Sequence, residues 1–476
     1  MQKTFLSNLI LLVLVNLIIK PLTIIGVDTE VQNRMGTTDF GLYFSLFNFT
    51  TIFNILLDLG INNFTTRNVA QHPHLLKKYM GSTLILRLIL SLIYLVACSL
   101  VGLSIGYGVE LVPLILLFGL QQITYSLISY SRSYLSGLLL FKQDAFLSVL
   151  DKSLILITCG TLMYSGIKFD FTIQSYITIQ LTCNSIASFI AVFLMMRQVR
   201  KTKFVWRKPL FHYIIKESLP YALFIVLMML YTRLDSVMIE RIHWNGAYES
   251  GVYAQGFRLV DAGFMFAMLF GSLLLPIFSR IYKQKEESAR MIRVAGKLLI
   301  WSAVAISIFV YFQADYILNL LYDEVSPNGV TLFRVQFFTF TFMCGSVIYG
   351  TFLTGIGDMR LLNKIGLTGL VVNLIFNFLL IPDYGALGAA IATICTQGAV
   401  TIIQWYSVKN YIQVNIDWRH VGLFGFFVLF VFGVGLFLKE VDFGWFYHLT
   451  VIALSLFVFK VFDIKTFYTM IRAKNE

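Results

Sequence analysis

The sequence predicts an all-α polytopic membrane protein of about fourteen transmembrane helices, built as two six-helix bundles plus two extra helices. Three observations carry that prediction. Of 476 residues, 58% are hydrophobic and 13% charged, against about 45–50% and about 25% in a soluble domain. The apolar residues form continuous runs and do not alternate every second position, which argues against a β-barrel. Lys and Arg concentrate in one alternate set of loops, as they do at the inner face of a membrane.

A spanning helix needs about 20 apolar residues. Windows bounded by charges or turn residues place the spans at 5–27, 40–62, 79–103, 109–131, 146–166, 172–196 and 213–238. The series continues at 251–277, 291–313, 330–353, 361–381, 385–407, 420–438 and 444–462. The first run carries Lys3 but no small-residue cleavage site, and reads as an uncleaved helix. An even number of spans puts both termini on one side. With the N-terminus in the cytoplasm, 27 basic residues fall in loops or at span ends on the cytoplasmic side. Only Arg34, Lys168, Arg241 and Lys439 fall opposite, and six (Lys20, Arg87, Lys152, Arg233, Arg258 and Arg334) are assigned to span interiors. Both ends are therefore expected in the cytoplasm, in an inner membrane.

The polar stretch Arg197–Lys216 separates six helices from eight. Asp39-Phe40-Gly41-Leu42-Tyr43 opens the second span, and Ser250-Gly251-Val252-Tyr253 opens the eighth. The implied organisation is a bundle at 1–196, a cytoplasmic linker at 197–212, a second bundle at 213–410, and helices 13–14 with a tail at 411–476. Paired bundles of this kind are a common transporter plan.

The chemistry classes thin out quickly. Cys98, Cys159, Cys183, Cys344 and Cys395 all sit in apolar runs without CxxC spacing or a nearby His, so they read as buried small residues, with no metal site expected. No nucleophile–base, paired-carboxylate or phosphate-loop constellation occurs, so no catalytic residue, cofactor or enzymatic activity is expected. The net charge of +12 sits in loops, so nucleic acid is not an expected partner.

Charges inside spans are costly and mark function or pairing. Lys20 is placed in the outer half of helix 1, with Asn16 one turn earlier on the same face. Arg87 lies deep in helix 3. Lys152 follows Asp151 in helix 5, and the two point in different directions. Arg233 and Asp235 sit at i,i+2 in helix 7 and diverge, whereas Arg258 and Asp261 in helix 8 sit at i,i+3 and can pair. Arg334 is expected to snorkel. Gln121, Gln122, Asn184, Asn373, Asn377 and Gln404 are intramembrane amides, suited either to sugar hydroxyls or to helix–helix hydrogen bonds.

Taken together, Asn8, Asn16, Pro21, Gly36 through Tyr43, Leu57-Asp58-Leu59-Gly60-Ile61, Ser218-Leu219-Pro220 and Arg233-Leu234-Asp235 form a recognisable series. It ends with Asn373, Asn377 and Tyr384-Gly385-Ala386-Leu387-Gly388-Ala389-Ala390-Ile391-Ala392-Thr393. In these segments the chain resembles the O-antigen and capsule repeat-unit flippases of the multidrug/oligosaccharidyl-lipid/polysaccharide (MOP) exporter superfamily. The resemblance implies two six-helix bundles in a V and alternating access. It also implies transfer of an undecaprenyl-diphosphate-linked oligosaccharide from the inner to the outer leaflet of a bacterial membrane.

A diphosphate suits the planar donor fork of arginine, so Arg233, Lys20, Arg87 and Arg258 are the candidate anion residues. Asp235, Asp58, Asp261, Asn16 and Gln121 are candidate sugar or coupling-ion contacts, with H+ or Na+ as the ion. The expected partners are the lipid-linked oligosaccharide and membrane lipids. A drug or cation antiporter of the same superfamily is the first alternative, disfavoured because basic residues outnumber acidic ones inside the spans. A polysaccharide-assembly enzyme is the second, disfavoured by the short outer loops.

Overall fold

Helices follow from the solvent. In hydrocarbon every backbone N–H and C=O needs a partner within its own segment, and long apolar runs meet that need by coiling. The computed structural model describes residues 15–62, 65, 66, 69, 76–166, 168–198, 208–413, 418–439, 441, 443–459 and 461. Asn8, the linker residues 199–207 and the tail 462–476 lie outside them.

Among the described residues, helix α1 covers 15–35, with a wide π turn at Ile24–Asp28 shortly after Pro21. Next come α2 (Thr37–Asp58), α3 (Leu76–Ser104), α4 (Val112–Gly137), α5 (Phe141–Tyr164), α6 (Ile173–Arg197) and α7 (Lys208–Ile242). They are followed by α8 (Gly246–Ile281), α9 (Lys285–Leu321) and α10 (Pro327–Ile356). The helical stretch Met359–Ile412 has 54 residues and breaks at Gly385, where φ is 52° and ψ −128°. Only glycine occupies that region without strain. The break yields α11 (359–384) and α12 (386–412), and α13 (Trp418–Leu438) and α14 (Gly444–Val458) complete the chain.

Each of the fourteen expected spans thus meets a described helix or half-helix, and the chain is a multi-pass α-helical membrane protein. Several expected ends are corrected, two of which bear on charged residues of the interior. α1 runs to Met35 where position 27 was expected, and α4 to Gly137 where 131 was expected. An apolar window stops at the first charges, whereas the hydrogen-bond ladder continues through them. The first extension also moves Lys20. It lies 15 residues from the described end of α1, about 22 Å by the helical rise.

Lateral faces follow helical spacing. In α3, Leu88, Leu92, Val96 and Leu100 recur every four residues and are all more than half exposed, while Leu90, Tyr94 and Cys98 are buried. An exposed leucine stripe of this length is stable against lipid and costly against water.

Two compact units emerge from the contacts, Met1–Ala254 with Ile381–Gly385, and Gln255–Leu380 with Ala386–Glu476. In the first unit α7 lies along α2, with Asn48 Nδ2 donating to Ser236 Oγ at 3.0 Å. The start of α8 crosses α2 almost backbone to backbone. A Cβ on Gly41 would fall 1.8 Å from the Ala247 carbonyl oxygen, and one on Gly251 1.9 Å from that of Thr37. The two Gly-x-Tyr sites noted in the sequence therefore pack on each other. In the second unit, Trp301, Val304 and Ile308 of α9 bury against Phe427 and Val431 of α13 and Ile452 and Leu456 of α14, which anchors the last two helices.

Candidate functional site

The interior of the first unit holds two charged clusters. The first is built on Arg87, 2% exposed on α3. Its Nη2 donates to Asp58 Oδ1 and to Asn62 Oδ1, both at 2.5 Å. Its Nη1 donates to Ser126 Oγ at 2.7 Å and to the Ser126 carbonyl at 3.2 Å. The guanidinium also lies 4.5 Å from the centroid of the Tyr130 ring. Asp58 accepts in addition from the Asn62 backbone N–H at 3.0 Å. Two expected site residues, Arg87 and Asp58, are thus brought together as an ion pair, tying α3 to the end of α2 and to α4. A substrate anion would have to compete with a carboxylate already in place.

The second cluster lies along α1, α4 and α5. Asn16 Nδ2 donates to Ser148 Oγ at 2.7 Å. One turn on, the Lys20 ammonium lies in the field of Arg132, Asp151 and Lys152. Arg132 Nε contacts Asp144 Oδ1 at 2.6 Å, and Lys152 Nζ lies 3.8 Å from Asp151 Oδ2. That last contact corrects the expectation that Asp151 and Lys152 point apart, because the four-carbon lysine stem bends back over its neighbour. Among the described residues of this cluster three cations face two carboxylates, a surplus of one positive charge. Arg132 escaped the sequence reading because it sits one residue past the expected end of its span. The Ser-Arg-Ser triplet at 131–133, polar yet flanked by apolar residues and tyrosines, was the available signal.

The remaining candidates are spread through both units. Arg233 is half-buried on α7, and Asp235 is buried, accepting from Tyr253 Oη at 3.1 Å. Arg258 is buried and Asp261 half-buried on α8 in the second unit. Gln121 is buried on α4, and its Oε1 has no hydrogen-bond partner among the described residues; the same holds for both amide atoms of Asn184. Gln122, by contrast, is consumed between helices, accepting from Asn54 Nδ2 at 2.9 Å and donating to Thr51 Oγ1 at 3.0 Å. Asn377 donates to Asn373 Oδ1 within α11. Arg334 lies with its guanidinium carbon 5.8 Å from the Tyr311 ring centroid.

A polar tie outside the spans was not legible in the sequence. Tyr107, between α3 and α4, shares a 3.0 Å hydrogen bond with Ser45 Oγ and has the Arg241 guanidinium 4.3 Å from its ring centroid. Burial pushes its hydroxyl above the usual tyrosine range, so it stays a neutral hydrogen-bonding group.

Many apolar helices in two units, the first with charged clusters in its interior, together with matches to two family models, define a membrane transporter of the MOP superfamily. Its fold is that of the lipid II flippase MurJ in an inward closed conformation, with a TM-score of 0.72 at 14% identity, covering 97% of this chain and 99% of that one. An inward-facing multidrug resistance MATE transporter matches at a TM-score of 0.64 and 14% identity, covering 83% and 94%. The polysaccharide biosynthesis protein family model matches residues 5–282, and the MatE model residues 220–379. The chain belongs to the polysaccharide biosynthesis protein family. It is 23% identical to the capsular polysaccharide biosynthesis protein CapF of Staphylococcus aureus, over 79% of this chain and 93% of that protein. It is 26% identical to an uncharacterised membrane protein of Methanocaldococcus jannaschii, over 79% and 91%.

Proposed function

We propose that the protein flips an undecaprenyl-diphosphate-linked oligosaccharide from the inner to the outer leaflet by alternating access, with no enzymatic step. The observation that carries this reading is the surplus of one positive charge, among the described residues, where Lys20, Arg132 and Lys152 face Asp144 and Asp151 inside the helices. A cation held within the span attracts a diphosphate headgroup, while the polyprenyl tail stays in lipid. The name of the CapF relative and the family match support the same class of substrate.

Lys20 and Arg233 provide charge to the headgroup, and Arg258 provides it from the second unit. Arg87 acts through its hold on Asp58. Gln121 and Asn16 are placed for sugar hydroxyls. The moving halves are the bundles 1–196 and 213–410, joined by the 197–212 linker, with 411–476 appended. An inside-negative potential favours anion export by about 2.3 kcal/mol per charge per 100 mV. Return of the empty carrier is coupled to H+ or Na+, with Asp58, Asp235 and Asp261 as the acidic candidates. The protein works in the inner membrane of a bacterium with both termini in the cytoplasm, a reading supported by the distribution of Lys and Arg.

The test is surface polysaccharide accumulation in a flippase-deleted host, with membrane abundance measured beside it. Lys20→Gln, Arg132→Gln and Arg233→Ala are expected to lower export at near-normal abundance, and Lys20→Arg to keep part of it. Normal export from both Lys20→Gln and Arg233→Ala at normal abundance overturns the anion-site reading. A second reading, cation antiport, is favoured by the MatE match over residues 220–379. It requires efflux of a fluorescent organic cation that survives the same substitutions.

A further inference from the structure

A cavity of about 390 Å³ opens in the second unit, lined by residues of neither charged cluster. Its walls are the first turns of α9, Tyr349 toward the end of α10, the last turns of α12 and the first turns of α13. Following the chain up and down, these four helix ends all lie at one membrane face. Arg293 and Lys297 enter from α9, Lys409 from α12 and His420 from α13, and no carboxylate is among the described residues that line the cavity. Lys297 Nζ stands 5.3 Å from the Trp301 ring centroid, and Lys409 Nζ 5.7 Å from that of Trp405. Two ammonium groups are thus held against indoles in the wall. Ile300 and Phe424 continue the lining with apolar surface.

A basic head beside indoles, backed by an apolar wall, complements an anion that carries a hydrocarbon tail. Tryptophan prefers the depth of lipid headgroups, and basic pockets between transmembrane helices bind anionic headgroups. The volume falls within the range of small-ligand pockets, about 300–1,000 Å³. We infer that this cavity binds the phosphate headgroup of an anionic phospholipid from the leaflet at that face. The lipid sits at the seam where α13 docks on α9 through Trp301 and Phe427, and so fastens the last two helices to the second unit. The site goes beyond the flippase reading, because it takes a resident lipid and not the transported one.

The experiment uses the full chain in neutral detergent, stripped of lipid. Thermal unfolding is followed by tryptophan fluorescence while phosphatidylglycerol, phosphatidylcholine or inorganic phosphate is added, and native mass spectrometry counts retained lipid. Phosphatidylglycerol is expected to raise the melting temperature and to remain bound, with no shift from phosphatidylcholine or inorganic phosphate. Arg293→Gln with Lys409→Gln removes two cations from positions that are not buried, so the variant folds. Its phosphatidylglycerol midpoint rises about thirtyfold, at the strength of a charge near a lipid surface. Arg293→Lys with Lys409→Arg keeps the response. An equal shift from phosphatidylcholine overturns the proposal, as does an undiminished response in the Gln variant. A shift from inorganic phosphate alone assigns the cavity to a soluble phosphate compound and overturns the lipid assignment.

Discussion

Removing Arg87 is expected to unfold the first unit before it affects any substrate. The side chain is 2% exposed and makes four hydrogen bonds, one of them to a carboxylate. Breaking a buried ion pair by deleting one partner costs about 3–5 kcal/mol, because the other charge is stranded. The Asp58 side chain is 24% exposed and can recover some hydration, which places Arg87→Met near the lower limit, about 3 kcal/mol. That is roughly a hundredfold in the folding equilibrium. Asp58→Asn in the Arg87→Met background relieves the stranded charge, and about 2 kcal/mol is expected to return. The remaining loss reflects the hydrogen bonds to Asn62 and Ser126, about 1 kcal/mol. Equilibrium unfolding in mixed micelles measures all three variants, with export measured alongside. Arg87→Met within about 0.5 kcal/mol of the native chain refutes the argument, since a 2% exposed arginine removed without cost was not holding the carboxylate.

Further expectations concern backbone contacts and topology. Gly41→Ala forces a Cβ to within 1.8 Å of the Ala247 oxygen and is expected to cost at least about 3 kcal/mol, the upper part of the overpacking range. It is read as lost monodisperse protein in gel filtration. Gly425→Ala, which meets nothing within 4 Å, is the control and should leave yield unchanged. Gly385→Ala places a side chain at φ 52° and 2.7 Å from Glu249 Oε2. About 1–2 kcal/mol of lost stability is expected from the backbone conformation alone, seen as a lower melting temperature. In a chain without native cysteines, Lys168→Cys should react with an impermeant thiol reagent added to intact cells and Lys283→Cys should not. The reverse pattern would invert the topology.

The existence of the helices was legible because lipid imposes one solution on a long apolar run, whatever its partners. Their ends were less so. At α1 and α4 the helix continues past the charges that close an apolar window, and this displaced Lys20 and concealed Arg132. The sequence also showed Gly41 and Gly251 at matching places, but not that they touch. A glycine at a helix start has many uses, and only the 1.8 Å and 1.9 Å approaches reveal a crossing that excludes any side chain.

Charge pairing was the least legible level, and the reason is geometric. Spacing rules reach three or four residues along one helix, so they bear on Arg258 with Asp261 and on the divergence of Arg233 from Asp235. Asp58 and Arg87 are 29 residues apart, and Arg132 and Asp144 are 12 apart. No rule of helical phase connects them, and only the packing of α3 on the end of α2, and of α5 on α4, brings each pair together. The sign of the interior was legible all the same. Six basic residues within the expected spans already implied a surplus that local carboxylates do not cancel. Around Lys20 one such surplus remains after Arg132 and Lys152 have met Asp144 and Asp151. Pairing therefore narrows the cationic candidates without removing the field. On the proposed function a transported anion is drawn to the charge left over, so the substitution that matters most for transport is Lys20→Gln, which removes the surplus while both pairs stay intact.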